Sequence, residues 1–192
     1  VAMDFVSQSV RILHEHPEIC CAGGVMETVG TNYISRVIAA AMSSPFGVGG
    51  GNFRVRKSEG YVNTVPFGAH RRSIFDKVGM FDEELVRNQD DEFIHRIIKA
   101  GEKQYLSPAI KSTYYCRASL RKLCRQYFQY GFWRIRTIQK RGRPATLRQI
   151  VPMVFVLALI LLAIGALLWR PFLLFLIALC IVYIAFLSIG AV

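Results

Sequence analysis

Six of the chain's thirteen carboxylates crowd into one stretch, as Asp82-Glu83-Glu84 and Asp90-Asp91-Glu92. A run of acids is usually a solvated face. Here two features add a chemical reading. Asp90 opens a predicted helix, Asp90–Ala100, with Phe93, Ile97 and Ile98 on one face and Gly101 as its stop. The partial positive charge of a helix N-terminus favours an ionised carboxylate. A carboxylate held ionised there can accept a proton from an attacking hydroxyl. The cluster also lies between Gly79 and Gly101, with a glycine at each turn.

Other residues could also do chemistry. Gly47 and Gly49-Gly50-Gly51 suggest a phosphate cradle, but the Lys-Ser/Thr of a P-loop does not follow. A loop is expected instead, with Arg54, Arg56 and Lys57 facing either phosphate or solvent. His14 and His16 are two residues apart and do not share a helix face, which argues against a metal pair. His70 and His95 read as packed or surface residues. The five cysteines are an odd count without a C-x-x-C pair, so neither a disulfide scaffold nor a zinc ribbon is indicated.

The elements that must hold these residues alternate in type. Helices are expected over Ser7–His14, Tyr33–Met42 and Arg71–Val78, and strands over Ile19–Val25, Tyr61–Gly68 and Gln104–Leu106. Pro66 suggests an edge or a strand end, and Pro108 closes the last strand. Strands alternating with helices point to an α/β layer architecture. Residues 43–60 read as a loop, and 117–141 as a basic, aromatic, amphipathic stretch.

Charge divides the chain. Its 192 residues are 53% apolar and carry a formal net charge of +11. Such hydrophobicity excludes a disordered chain. Up to Glu102 there are 11 Lys+Arg against all 13 acids; from Lys103 onward there are 13 Lys+Arg and no acid. Runs 151–169 and 172–192 contain no charge, and about 20 apolar residues suffice to cross a hydrocarbon core of roughly 30 Å. They read as a transmembrane hairpin, with Arg170 and Pro171 in its turn. Ten Lys/Arg between Arg117 and Arg148 place the preceding part in the cytoplasm, by the rule that positive charge stays inside. Cys20, Cys21, Cys116 and Cys124 would then sit in a reducing compartment, where disulfides are rare. Aromatics between these basic residues could stack on single-stranded nucleic acid. Their place before a span favours an interfacial helix on anionic lipid, with no nucleic-acid role. The start at Val1, without methionine or signal peptide, reads as an internal piece of a longer protein.

Gly79-Met80-Phe81-Asp82-Glu83, then Gln89-Asp90-Asp91-Glu92-Phe93, Arg96 and Gly101, resembles the G-x-F-D-E … E-D-x-D-L-x-x-R … G signature of family 2 inverting glycosyltransferases. The likeness extends through Thr64, Pro66-Phe67-Gly68, Arg71-Arg72, Tyr105-Leu106-Ser107-Pro108 and the segment Arg125–Arg134. It is nearest the bacterial succinoglycan type of exopolysaccharide glucosyltransferase and covers most of residues 1–148. The resemblance implies a partial GT-A fold, a nucleotide-sugar donor such as a UDP-sugar, and a lipid-linked or polysaccharide acceptor. By position Asp90 matches the family's catalytic base. Asp91, Gly68, Arg72, Gln126 and Trp133 match positions expected to meet acceptor or donor. A divalent cation, Mg or Mn, is implied too. The D-x-D that holds it in this family is absent here, so its ligands are expected upstream of residue 1 and the 192 residues alone are expected to be inactive. Gln89 stands for the usual Glu and Glu92 for Asp, and Q-x-x-R-W is not present in strict form, which leaves processivity open. The implied organisation is 1–116 acceptor-side GT-A part, 117–148 interfacial segment, and 149–192 transmembrane helices at a bacterial plasma membrane. The rival class is a non-enzymatic membrane anchor whose basic helix binds anionic lipid or an acidic partner; it leaves the acid–glycine spacing unexplained.

Overall fold

The computed structural model describes residues 1–44, 52–54, 58–142 and 150–191. The chain divides into two compact units, Val1–Arg141 and Gly142–Val192.

The first unit is built on a strand with little side chain to spare. Helix α1 (Phe5–Glu15) leads into β1 (Ile19–Val29), whose residues 19–24 are all buried. A strand covered on both faces needs an unbroken apolar or small run, and Ile-Cys-Cys-Ala-Gly-Gly supplies one. Helix α2 (Tyr33–Ser43) follows, opened by a capping box in which Asn32 accepts from the Ser35 N–H at 2.8 Å. A single 3-10 turn covers Asn52–Arg54. Then come β2 (Gly60–Val62), β3 (Ala69–His70), α3 (Arg72–Val78), α4 (Gln89–Lys99), β4 (Lys103–Tyr115) and α5 (Leu120–Arg141). The sheet order is β2-β4-β1-β3, with β1 and β4 parallel and the two short edge strands antiparallel to their neighbours.

Two expectations about strands are corrected. The stretch 61–68 is not one strand. Its start pairs with β4 on one edge of the sheet, while Ala69–His70 pairs with β1 on the other. Pro66 has no N–H to give a ladder, and Phe67 has φ +48, so the chain crosses between edges with Val65 buried beneath it. The last strand does not stop at Pro108 but runs to Tyr115. The register jumps from Gly24↔Ser107 to Val25↔Lys111, so a bulge absorbs the proline. At that bulge the strands approach closely: a Cβ on Gly24 would lie 1.7 Å from the Ile110 carbonyl oxygen.

The core has two sides. Phe93 and Ile97 of α4 pack with Ile74 of α3, Val65, Leu106 and the cysteines of β1. Ile12 of α1 packs with Ile19, Ala22, Tyr105 and Ile110. Helix α4 is therefore held by its apolar face, which leaves the acids of its first turn at the rim.

The second unit contains α6 (Val151–Leu168) and α7 (Arg170–Ala191). Pro171 does not end the first helix; Trp169 caps α6, and Pro171 occupies the first turn of α7, where its missing N–H costs nothing. The Phe155 and Tyr183 rings lie 4.8 Å apart, and a Cβ on Gly165 would meet the Phe172 ring at 2.7 Å, so the helices fold back on each other. Both are long and apolar enough to cross a membrane.

Candidate functional site

Asp90 lies in the first turn of α4, after Asn88. Asn88 takes a left-handed conformation, φ 60 and ψ 19, which an Asn tolerates better than most residues. Its carbonyl accepts from the Glu92 N–H at 3.1 Å, and its side-chain amide donates to the Tyr130 carbonyl of α5 at 3.2 Å. The helix start is thereby tied to α5. The Asp91 N–H donates to an Asp90 carboxylate oxygen at 2.9 Å. The Asp90 side chain reaches solvent, yet protein crowds its carboxyl. That partial desolvation, and then the neighbouring charge of Asp91, raise its pKa above the ordinary carboxylate value; the backbone hydrogen bonds and Arg134 oppose them.

Asp82, Glu84, Asp91 and Glu92 are engaged. Asp91 forms an ion pair with Arg134, and its backbone carbonyl accepts from Arg141. Lys140 bridges Asp82 at 2.5 Å and Glu84 at 2.7 Å. Glu92 pairs with Arg96 at 2.8 Å, and Arg96 donates also to the Met80 carbonyl at 2.8 Å and to the Val78 carbonyl. The Gly79–Gly101 stretch is thus a folded unit, with α4 and α5 clamping the acid loop. These pairings leave no free carboxylate set for a divalent cation, and the described residues contain no group of three or more His, Cys, Asp or Glu placed to hold one.

The remaining candidates are placed as follows. Gly68 packs on β1, where a Cβ would lie 2.5 Å from the Cys21 sulfur. Arg72 is exposed at the start of α3, whereas Arg71 is structural, donating to the Ile19 carbonyl at 2.8 Å and to those of Leu13 and His16. Among the described residues no hydrogen bond or ion pair joins Gly68 or Arg72 to Asp90. Gln126 is buried on α5; it accepts from Arg117 at 2.8 Å and donates to the Tyr130 hydroxyl at 2.8 Å and the Tyr114 hydroxyl at 3.3 Å. Trp133 is half-buried, beside Arg134. His70 sits edge-on to Phe75 and Phe93, and burial lowers its pKa. Arg54 lies over the Phe53 and Tyr114 rings and donates to Thr28. Gly47, Gly49-Gly50-Gly51, Arg56 and Lys57 lie outside the described residues.

Sequence reasoning did not single out Asn88, Arg134, Lys140 or Arg141. A signal for the last three was present. Tyr130, Arg134, Thr137 and Arg141 recur at helical spacing on the same face as Gln126, and Lys140 borders it.

An α/β layer with a carboxylate of raised pKa at the head of a helix is equipped for acid–base work on a hydroxyl group. Comparison with known proteins makes the class concrete. The chain is 32% identical over 133 residues to a dolichyl N-acetyl-alpha-D-glucosaminyl phosphate 3-beta-D-2,3-diacetamido-2,3-dideoxy-beta-D-glucuronosyltransferase of Methanococcus voltae, covering 67% of this chain and 41% of that one. It is 34% identical over 143 residues to the succinoglycan biosynthesis protein ExoA of Rhizobium meliloti, covering 74% of this chain and 42% of that one. The chain is related to glycosyltransferases of glycan synthesis. It spans about two fifths of the length of the curated relatives it matches. No protein-family model matches it, and no solved structure does.

Proposed function

We propose that this chain is the acceptor-side part of a membrane-anchored inverting glycosyltransferase with a GT-A fold. The enzyme moves a sugar from a nucleotide-sugar, a UDP-sugar by resemblance, to a lipid-linked or polysaccharide acceptor. The observation that carries this reading is Asp90, seated at the head of α4 with a raised pKa while its acidic neighbours are paired. A carboxylate with such a pKa is a stronger base than an ordinary one.

In this reading the Asp90 carboxylate takes the proton of an acceptor hydroxyl. The freed oxygen attacks the anomeric carbon from the face opposite the nucleotide. The bond to the diphosphate breaks with its electron pair, and the configuration inverts. Asp91 is engaged by Arg134. A divalent cation belongs to the implied chemistry, and the described residues do not fit one, so no step here runs through it.

Support for membrane anchoring comes from α6 and α7. Neither has a buried residue among those whose side chains are described, although both are apolar all round. A helix of that kind needs an apolar medium that the protein itself does not supply. Helix α5 supports an interfacial role: Phe128, Phe132 and Ile135 are exposed on the side away from Gln126 and Thr137, with Arg121, Arg125 and Arg136 nearby. The basic run 117–148 supports a cytoplasmic location for the catalytic part, at the plasma membrane.

The test uses the full-length protein in membranes, with a UDP-sugar and a lipid-linked acceptor. Asp90→Asn is expected to lower transfer by a factor of about 10³ or more, within the usual range for loss of a general base combined with its positioning. Normal transfer by Asp90→Asn would remove the base assignment.

A further inference from the structure

Three cations near the C-terminal end of helix α5 meet the acids at and before the start of α4. Arg134 pairs with the Asp91 carboxylate, Arg141 donates to the Asp91 carbonyl, and Lys140 spans Asp82 and Glu84. Adjacent carboxylates repel, and each makes the other harder to ionise. Asp90 and Asp91 are such a pair, and the cation between α4 and α5 is on Asp91.

We infer that Arg134 is a positioning residue for Asp90: by pairing with Asp91 it offsets the neighbour's charge beside the carboxylate that takes the proton. The inference rests on the reading of Asp90 as the base and adds a role for a residue on a different element. Arg134 itself touches Asp91 rather than substrate. The charged groups acting on Asp90 are Asp91 on its own helix and Arg134 and Arg141 from α5. Lys140 is occupied by Asp82 and Glu84. The seat of Arg134 is fixed by the Gln126, Tyr130 and Asn88 bonds, which hold α5 against the α4 start.

The consequence has a sign. Removing Arg134 exposes Asp90 to the full charge of Asp91, so Asp90 holds its proton to higher pH. Removing Asp91 has the opposite effect. The readout is the acid limb of kcat/KM against pH, measured on the full-length enzyme in membranes. Arg134→Gln is expected to move the limb up by about one pH unit, at the low end of what a nearby opposite charge does. Transfer on that limb then falls about tenfold, since one unit is a factor of ten in the ionised fraction. Arg134→Lys should restore the limb to near its original position. Asp91→Asn should move it down, and the double variant Asp91→Asn/Arg134→Gln should fall between the two single variants.

A purely structural Arg134 would change the amount of active enzyme without moving the limb. If Arg134→Gln does not fold, Asp91→Asn decides alone: a limb that stays put or moves up overturns the inference. An Asp90→Asn enzyme with normal transfer would instead overturn the base assignment, whatever the limbs do. An Asp90→Asn enzyme that is inactive, together with limbs that do not respond to Asp91 or Arg134, would overturn the role of Arg134 alone.

Discussion

At the scale of single residues, environment sorts carboxylates of identical chemistry into different tasks. Asp82 and Asp90 lie eight positions apart in the same acidic stretch. Lys140 holds the Asp82 pKa low, whereas crowding and Asp91 hold that of Asp90 high. A base works only in its ionised form, so transfer should fall as pH drops through the raised pKa of Asp90. The acid limb of kcat/KM is thus expected above the ordinary aspartate value of about 3.9. A limb at or below that value would contradict Asp90 as the group that titrates. Asp90 was legible in the sequence because its signal is local: an acid at the start of a periodic apolar run. Asn88 was not, because its left-handed backbone and its bond to Tyr130 depend on α5, 42 residues away in sequence. The same holds for Gly24, whose need for no side chain appears only once the β4 bulge lies against it. Gly24→Ala should destabilise by about 3 kcal/mol or more, since backbone rather than a pliable side chain stands in the way. Thermal unfolding in detergent would measure it, and an unchanged midpoint would mean the strands are further apart than described.

Among the elements, α4 and α5 carry the site, and each is anchored differently. Helix α4 is fixed by apolar packing. Phe93 is fully buried against Phe75 and Phe81, with ring centroids 5.3 Å and 4.4 Å away. Phe93→Ala should cost about 3–5 kcal/mol, and transfer should fall with it because Asp90 is only one turn away. Helix α5 is fixed by polar groups. Gln126→Ala leaves Arg117 and two tyrosine hydroxyls without their partner and should cost about 1–3 kcal/mol. Unfolding midpoints of the two variants compared with wild type would check both magnitudes. A Gln126 variant as stable as wild type would mean that its network contributes little to holding α5. Helices were the more legible elements, since a 3.6-residue period is written into Phe93, Ile97 and Ile98. Short edge strands were not. Two or three residues carry no period, and β2 and β3 exist because β4 and β1 offer them edges to pair with.

For the molecule as a whole, the charge split follows the division into units: the first holds all the acids and a basic helix that clamps several of them and exposes aromatics, and the second is an apolar helical pair. The split itself was legible, because span length and the absence of charge are properties of composition. Which acids the basic helix would meet was not, because Arg134 and Asp91 are separated by 43 positions and joined only by the fold. The proposed orientation has a built-in reporter. Cys20, Cys21 and Cys116 are buried and Cys180 lies within α7, while Cys124 is exposed on α5, outside the helical pair. A charged maleimide that cannot cross a bilayer should therefore leave Cys124 unlabelled in intact cells from which the wall has been removed. It should label Cys124 in inside-out vesicles, and Cys124→Ser should abolish that labelling. The basic run before the first span attracts the anionic cytoplasmic leaflet, which is why this side is expected. Labelling of Cys124 in sealed cells would put α5 outside and, with it, Asp90. An enzyme that uses cytoplasmic nucleotide-sugars could not work there, so one thiol bears on orientation and on the donor class together.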